Sequence, residues 1–323
     1  MLIVAQAGRL EYQALILAAS LRHSAPEWRG KLIVAEPLAA GAWAGHETAI
    51  SAGVRDLLIE LGAEITPFTA QYFGATYPYG NKIEALACLP AAEPFLFLDT
   101  DTLITGPIDR LVADFSRPSA SMRRQGTWPE PPLYGPGHAE IWRALYDRFG
   151  LDFDASLDES YAGDDWRRYL YFNAGWFFGQ DPARFGQMFL DWARAVRDAP
   201  GDTLACQSLD PWLDQIVLPL VVHALGGGRP GDDLAGLDGD LTCHYRNLPL
   251  LYASGSDAAI ALMEEAIAPN RIKKVLRNWS PARRLIYQRK GRDKVRPIFG
   301  DLPATAQEKP IRKRLRAEGW WLV

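Results

Sequence analysis

Cysteine is scarce in this chain: Cys88, Cys206 and Cys243 are the only three in 323 residues, far apart and odd in number. That argues against a disulfide framework and a cysteine-built zinc site, and it points to a reducing, cytoplasmic compartment. Long apolar runs are missing too, since no stretch approaches the roughly 20 residues a membrane-spanning helix needs. The opening MLIVAQAGRLEY carries no basic segment before its short apolar run, so no secretory leader is expected. No internal repeat is found. What is present is a 48% hydrophobic content, enough for a large core in one domain, or in one domain plus an appendage.

Charge of one sign is also missing where it would be expected. The net charge is only −4, yet residues 271–323 hold 16 Lys+Arg against 4 Asp+Glu, a net of +12, and residues 1–270 carry −16. The basic segment reads as a surface for anionic lipid, nucleic acid or an acidic neighbour, whereas the acidic body argues against a general nucleic-acid protein. We expect a helical basic appendage over 251–323 beside a domain over 1–250. Trp320 and Trp321 would lie at the headgroup level of an anionic membrane, giving a peripheral location at its inner face.

Short apolar runs alternate with helical periodicity. Leu2 to Ala5 reads as a strand, followed by a helix through Tyr12, Leu15, Leu17 and Leu21. Strands follow at Leu32 to Ala35, Glu64 to Phe68 and Phe95 to Leu98, with helices at 47–61 and 81–89. This alternation implies an α/β fold with a mostly parallel, Rossmann-like sheet covered on both faces. Beyond it, Tyr171 to Phe178 reads as a strand, and 181–198 and 211–225 as helices. Two stretches, 124–137 with four prolines and 226–240 with six glycines, read as binding loops or disorder.

The segment Phe95 to Ile104, FLFLDTDTLI, places Asp99 and Asp101 at the end of a buried strand, where open sheets of this kind bind ligands. Strand alternation would set both carboxylates on one face. Held close, they repel unless a cation or a shared proton lies between them, and hard oxygen ligands suit Mg²⁺ or Mn²⁺. The bland reading is a strand ending in a polar turn.

The stretch PYGNKIEALACLPAAEPFLFLDTDTLITGPIDRL resembles the metal-binding region (DXD motif) of the retaining GT-A glycosyltransferases, the glycogenin and bacterial galactosyltransferase group. Tyr171 to Phe178 is similar to that family's F-N-[AS]-G strand, Trp212-Leu213-Asp214-Gln215 to its D-Q helix start, and Cys243-His244-Tyr245 to its late metal-ligand histidine. The resemblance implies a GT-A fold and a metal-dependent hexosyltransferase using a nucleotide-diphosphate sugar, with uridine diphosphate the family default. Asp99, Asp101 and His244 would hold Mn²⁺ or Mg²⁺, Lys82 would approach the donor, and Gln6 and Ala7 would meet the nucleotide. Asn173 and Gly175 would line the sugar pocket, with Asp214 and Gln215 beside the transferred sugar. A glycan or lipid-linked acceptor, as in polysaccharide biosynthesis, completes the expectation, and no nucleic acid is involved.

Each residue also has an ordinary reading. Lys82 could be a solvated helix-start charge, Asp214 a helix-dipole partner and His244 a core histidine. The family's phosphate-contacting lysine after the histidine is missing, and Arg246 could offer a guanidinium fork instead. Two other functions fit parts of the pattern. One is a haloacid-dehalogenase-like phosphatase, with Gly163-Asp164-Asp165 as its later acidic motif; the other is a non-catalytic sugar-nucleotide binder. His23, His46, His138 and His223 are assigned no role.

Overall fold

A computed structural model describes residues 1–123, 126–300 and 307–322. Arg124 and Gln125 of the expected 124–137 loop, and 301–306 and 323 of the basic segment, lie outside the described residues. The main sheet is built from β1 (Leu2–Val4), β2 (Leu32–Pro37), β3 (Ala63–Phe68), β4 (Phe95–Leu98), β6 (Ala120–Ser121) and β7 (Asn173–Gly179). Its order is β3-β2-β1-β4-β7-β6, with β1 to β4 parallel and β7 antiparallel to its two neighbours. A separate two-stranded ladder pairs β5 (Thr102–Ile104) with β8 (Thr242–His244). The α/β architecture with a mostly parallel sheet is thus the expected one.

The strands read as unbroken apolar runs because both faces of the sheet are covered. Leu2, Val4, Phe95, Phe97 and Phe177 face one core, under α3 (Asn81–Glu84), α4 (His138–Arg148), α5 (Pro182–Asp198) and α6 (Leu213–Ala224). Their neighbours Ile3, Leu96, Leu98, Trp176 and Phe178 face the other core, which is shared with α1 (Arg9–Ser24) and α2 (Ala52–Glu60). The helices α7 (Leu248–Ser254), α8 (Asp257–Ala266), α9 (Asn270–Leu276), α10 (Ser280–Ala282), α11 (Arg296–Phe299) and α12 (Glu308–Ala317) lie on this second side. Ile260, Leu276, Leu285, Ile311 and Leu315 are buried in the same apolar cluster as Ile3 and Leu15. Burying one such side chain stabilises by about 1.5–3 kcal/mol, so the basic segment is seated by its apolar stripe while most of its lysines and arginines face water. Trp320 and Trp321 pack half-buried against that cluster, with Arg284 5.4 Å from the first ring and Arg312 5.3 Å from the second.

Several boundaries differ from the sequence reading. The helix expected over 47–61 begins only at Ala52, because the preceding backbone is claimed elsewhere. Ala7 N donates to Thr48 O (2.9 Å), Ile50 N to Glu36 Oε1 (2.8 Å) and Ser51 N to Glu11 Oε2 (2.7 Å). The 81–89 helix is α-helical only to Glu84 and tightens to 3-10 geometry over Ala85–Cys88 before Pro90. The expected strand at 171–178 runs from Asn173 to Gly179. Within 226–240, a 3-10 turn over Asp232–Asp238 buries Leu234 and Leu237. The outer strand β3 contains Pro67 opposite Glu36.

Candidate active site

The two carboxylates meet the histidine by a route other than simple alternation. β4 ends at Leu98, and the chain turns through Asp99-Thr100-Asp101 and leaves the main sheet as β5. There Thr102 pairs with His244, and Tyr245 N donates to Asp101 O (2.9 Å). The ladder, not the pleat of one strand, therefore sets His244 beside Asp101 across 143 residues of sequence. Ligand atoms of Asp99, Asp101 and His244 all lie within 4.8 Å of one another, the one such group among the described residues.

His244 Nε2 is 3.1 Å from Asp101 Oδ1 and 3.9 Å from Asp99 Oδ2. Two ligands about 2.1 Å from a shared ion and at right angles to each other lie about 3 Å apart, so the donor set fits a divalent cation in both spacing and chemistry. Gly175 makes room for the ring. A Cβ there would stand 2.4 Å from His244 Nδ1, and Gly175 O accepts from Asp99 N (2.8 Å), tying β7 to the carboxylate turn.

Behind the carboxylates lies a buried cation. Lys82 Nζ donates to Asp99 Oδ1 (2.9 Å), Asp214 Oδ2 (3.3 Å) and Ala174 O (3.1 Å), which uses all three of its N–H groups. Burial alone would lower its pKa, but the two carboxylates outweigh that and raise it, so Lys82 stays charged. Asp214 is as fully committed: Tyr77 OH donates to its Oδ1 (2.8 Å), and its backbone N donates to Tyr77 OH (3.0 Å). Asp99 is pushed above the ordinary carboxylate range by burial and by the charge of Asp101, with Lys82 pulling the other way. Burial also acts to raise Asp101, but His244, Arg9 and Lys82 prevail and lower it.

The remaining expected residues surround this centre. Asn81 Nδ2 donates to Gln6 Oε1 (3.0 Å) at the end of β1, next to Ala7, and Trp43 Nε1 donates to Asn81 Oδ1 (2.9 Å). Asn173 spans the β7 entry, donating to Arg123 O (2.8 Å) and accepting from Gly175 N (3.0 Å); its amide holds the glycine in place. Gln215 Oε1 accepts from Tyr171 OH (2.9 Å). Arg246 stands apart, with its Nε 3.1 Å from Glu308 Oε2 on α12. Lys82 and Asp214 are thus pinned by protein partners, and Arg246 points toward the C-terminal helix.

Sequence reading missed Tyr77, Asn81 and Arg9. Asn81 lies in the quoted stretch that begins Pro78-Tyr79-Gly80, Tyr77 directly precedes that stretch, and Arg9 directly follows the strand-end turn; position was the available signal for all three. The acidic motif of the phosphatase alternative lies elsewhere, with Asp165 engaged by Arg167 (2.5 Å) as a helix cap. His138 stacks on Tyr169, His223 meets Tyr146 edge-on, His23 lies 3.7 Å from Glu265, and His46 meets Trp43 edge-on. All three cysteines are free.

A family model described as the Rhodobacterales glycosyltransferase domain matches residues 1–226. Among solved structures, the galactosyltransferase LgtC in complex with donor and acceptor sugar analogues is 16% identical, covering 72% of this chain and 73% of its own, with a TM-score of 0.42. The glycosyltransferase GlyE of Streptococcus pneumoniae TIGR4 is 14% identical over 95% of this chain and 66% of its own, at a TM-score of 0.45. The bifunctional WbbM is 13% identical over 84% and 51%, at 0.46. No curated protein matches.

Proposed function

The chain belongs to the Rhodobacterales glycosyltransferase family, and from that premise we propose that it moves a sugar from a nucleotide-diphosphate donor, UDP-linked, to a glycan or lipid-linked acceptor with retained configuration. The observation that carries this is the convergence of Asp99, Asp101 and His244, whose ligand atoms lie within 4.8 Å of one another, with Gly175 making room for the His244 ring. Mn²⁺ or Mg²⁺ held by the three would offset the negative charge that develops on the diphosphate as the glycosidic bond breaks.

The chain's own groups prepare that charge balance. Lys82 offsets part of the cost of burying the Asp99 charge and fixes which oxygen faces the ligand, so no reorganisation is needed as the bond breaks. Asp214 anchors Lys82, with Tyr77 locking it in turn. Gln6 and Ala7 border the nucleotide, and Arg246 reaches the phosphates. Gly175 permits close approach of backbone to ligand. The Tyr171 hydroxyl already takes one lone pair of Gln215 Oε1, which favours attack from the donor's front face over an adduct on that oxygen. The leaving phosphate then accepts the acceptor's proton. Acceptors on lipid would be met at an anionic membrane, where the basic residues of 271–316 would dock.

Incubation with UDP-galactose or UDP-glucose and Mn²⁺ tests the reading. Slow release of UDP and free sugar, lost on removing the metal, is expected. Release of inorganic phosphate would mark a phosphatase, and metal-dependent binding without any product would mark a binder.

A further inference from the structure

Arg246 lies two residues beyond His244 and adopts φ 63°, the left-handed region that a non-glycine residue enters only when its surroundings impose it. Here they do. Tyr245 N is bonded to Asp101 O, Asn247 N closes a tight turn around Arg246 by donating to Tyr245 O (2.7 Å), and Arg246 O accepts from Gln13 Nε2 on α1 (3.5 Å), so the backbone on both sides of Arg246 is held. The side chain leads away to Glu308, the first residue of α12, which is only 8% exposed. Arg246, Glu308, His244 and Ile311 line one cavity of about 660 Å³. The pairing therefore lies in the space that adjoins the carboxylate centre.

Glu308 also pairs with Arg312 one turn along α12. If Arg246 leaves, the buried carboxylate keeps a partner, and the exchange avoids stranding a charge. Lys82 has no donor to spare, whereas a phosphate offers Arg246 a bidentate, doubly charged partner in place of a shared carboxylate. We infer that Glu308 is a positioning residue, holding Arg246 in a resting pair that donor phosphate oxygens displace, so that phosphate binding loosens the first turn of α12. The inference rests on reading the Asp99 centre as a diphosphate site.

The test combines calorimetry and amide hydrogen exchange on the full chain, with Mn²⁺ and inorganic pyrophosphate as the probe. In the unaltered protein, saturating probe is expected to speed exchange at the amides of Ile311, Arg312 and Lys313 about tenfold, while the β4 amides stay protected. Glu308→Gln weakens the competitor and should tighten pyrophosphate binding about fivefold, with fast exchange in α12 even without the probe. Glu318→Gln, which breaks the pair with Arg314 (2.8 Å) on the same helix, should change neither. Pyrophosphate binding that depends on Asp101 but leaves α12 exchange unmoved would overturn the inference and spare the site. Absence of any Asp101-dependent binding would remove both. Should Glu308→Gln fail to fold, the exchange response of the unaltered protein decides alone.

Discussion

Gly175 shows how little space separates a metal ligand from a clash. A methyl group there would press on the His244 ring from 2.4 Å, and the imidazole would have to swing away from Asp101. Gly175→Ala is expected to keep the fold and to weaken Mn²⁺ binding by about tenfold or more, read by calorimetry. Asp101→Asn should abolish Mn²⁺-dependent UDP release with a near-native melting curve, because the residue sits in a strand-end turn and not in the core. Tyr77→Phe removes the donor to Asp214 and leaves a buried oxygen and an amide short of a partner, a cost of about 1–3 kcal/mol in denaturant unfolding. The carboxylates were legible in sequence because two acids at the end of an apolar strand are chemically uncommon, whereas the histidine was legible only through the resemblance of Cys243-His244-Tyr245 to the family's late histidine. Tyr77 was not, since its role exists only through a contact with a residue 137 positions away.

Among the elements, the strands were legible because burial on both faces leaves an apolar run, whereas their use was not. The sequence of β4 and β5 looks like one continuous strand, and only the pairing of β5 with β8 reveals that the chain changes sheets at the carboxylates. The late start of α2 was equally hidden, as it follows from side chains of Glu11 and Glu36 claiming backbone amides. Two helices carry a pH response. His138 on α4 and His223 on α6 have pKa values lowered chiefly by burial, so the unfolded chain binds protons where the folded one does not. Stability should rise with pH below the ordinary histidine value near 6.5 and level off above it. Melting temperatures from pH 5 to 8 check this, and His223→Gln should flatten part of the slope; an unchanged slope would acquit that histidine.

For the whole molecule, the opposition between an acidic body and a basic C-terminal side was legible from charge counts alone, but the anchoring of that side was not. Trp320 and Trp321, read from sequence as membrane-facing, pack against the core beneath guanidinium groups. Docking on an anionic surface would then rest on exposed cations such as Lys274, Arg277, Arg289, Lys294 and Lys313. At about 1 kcal/mol per basic residue near the surface, sedimentation with acidic vesicles should fall steeply with salt and survive Trp321→Ala. Vesicle binding that ignores salt would dismiss the idea. The main sheet limits association of another kind. One outer strand, β3, carries Pro67, which offers no N–H to an incoming strand, and the exposed charge of Glu64. Two copies of this chain therefore cannot readily pair along β3, and the opposite margin offers only the two residues of β6, so one imino acid closes the longer edge of the sheet to growth.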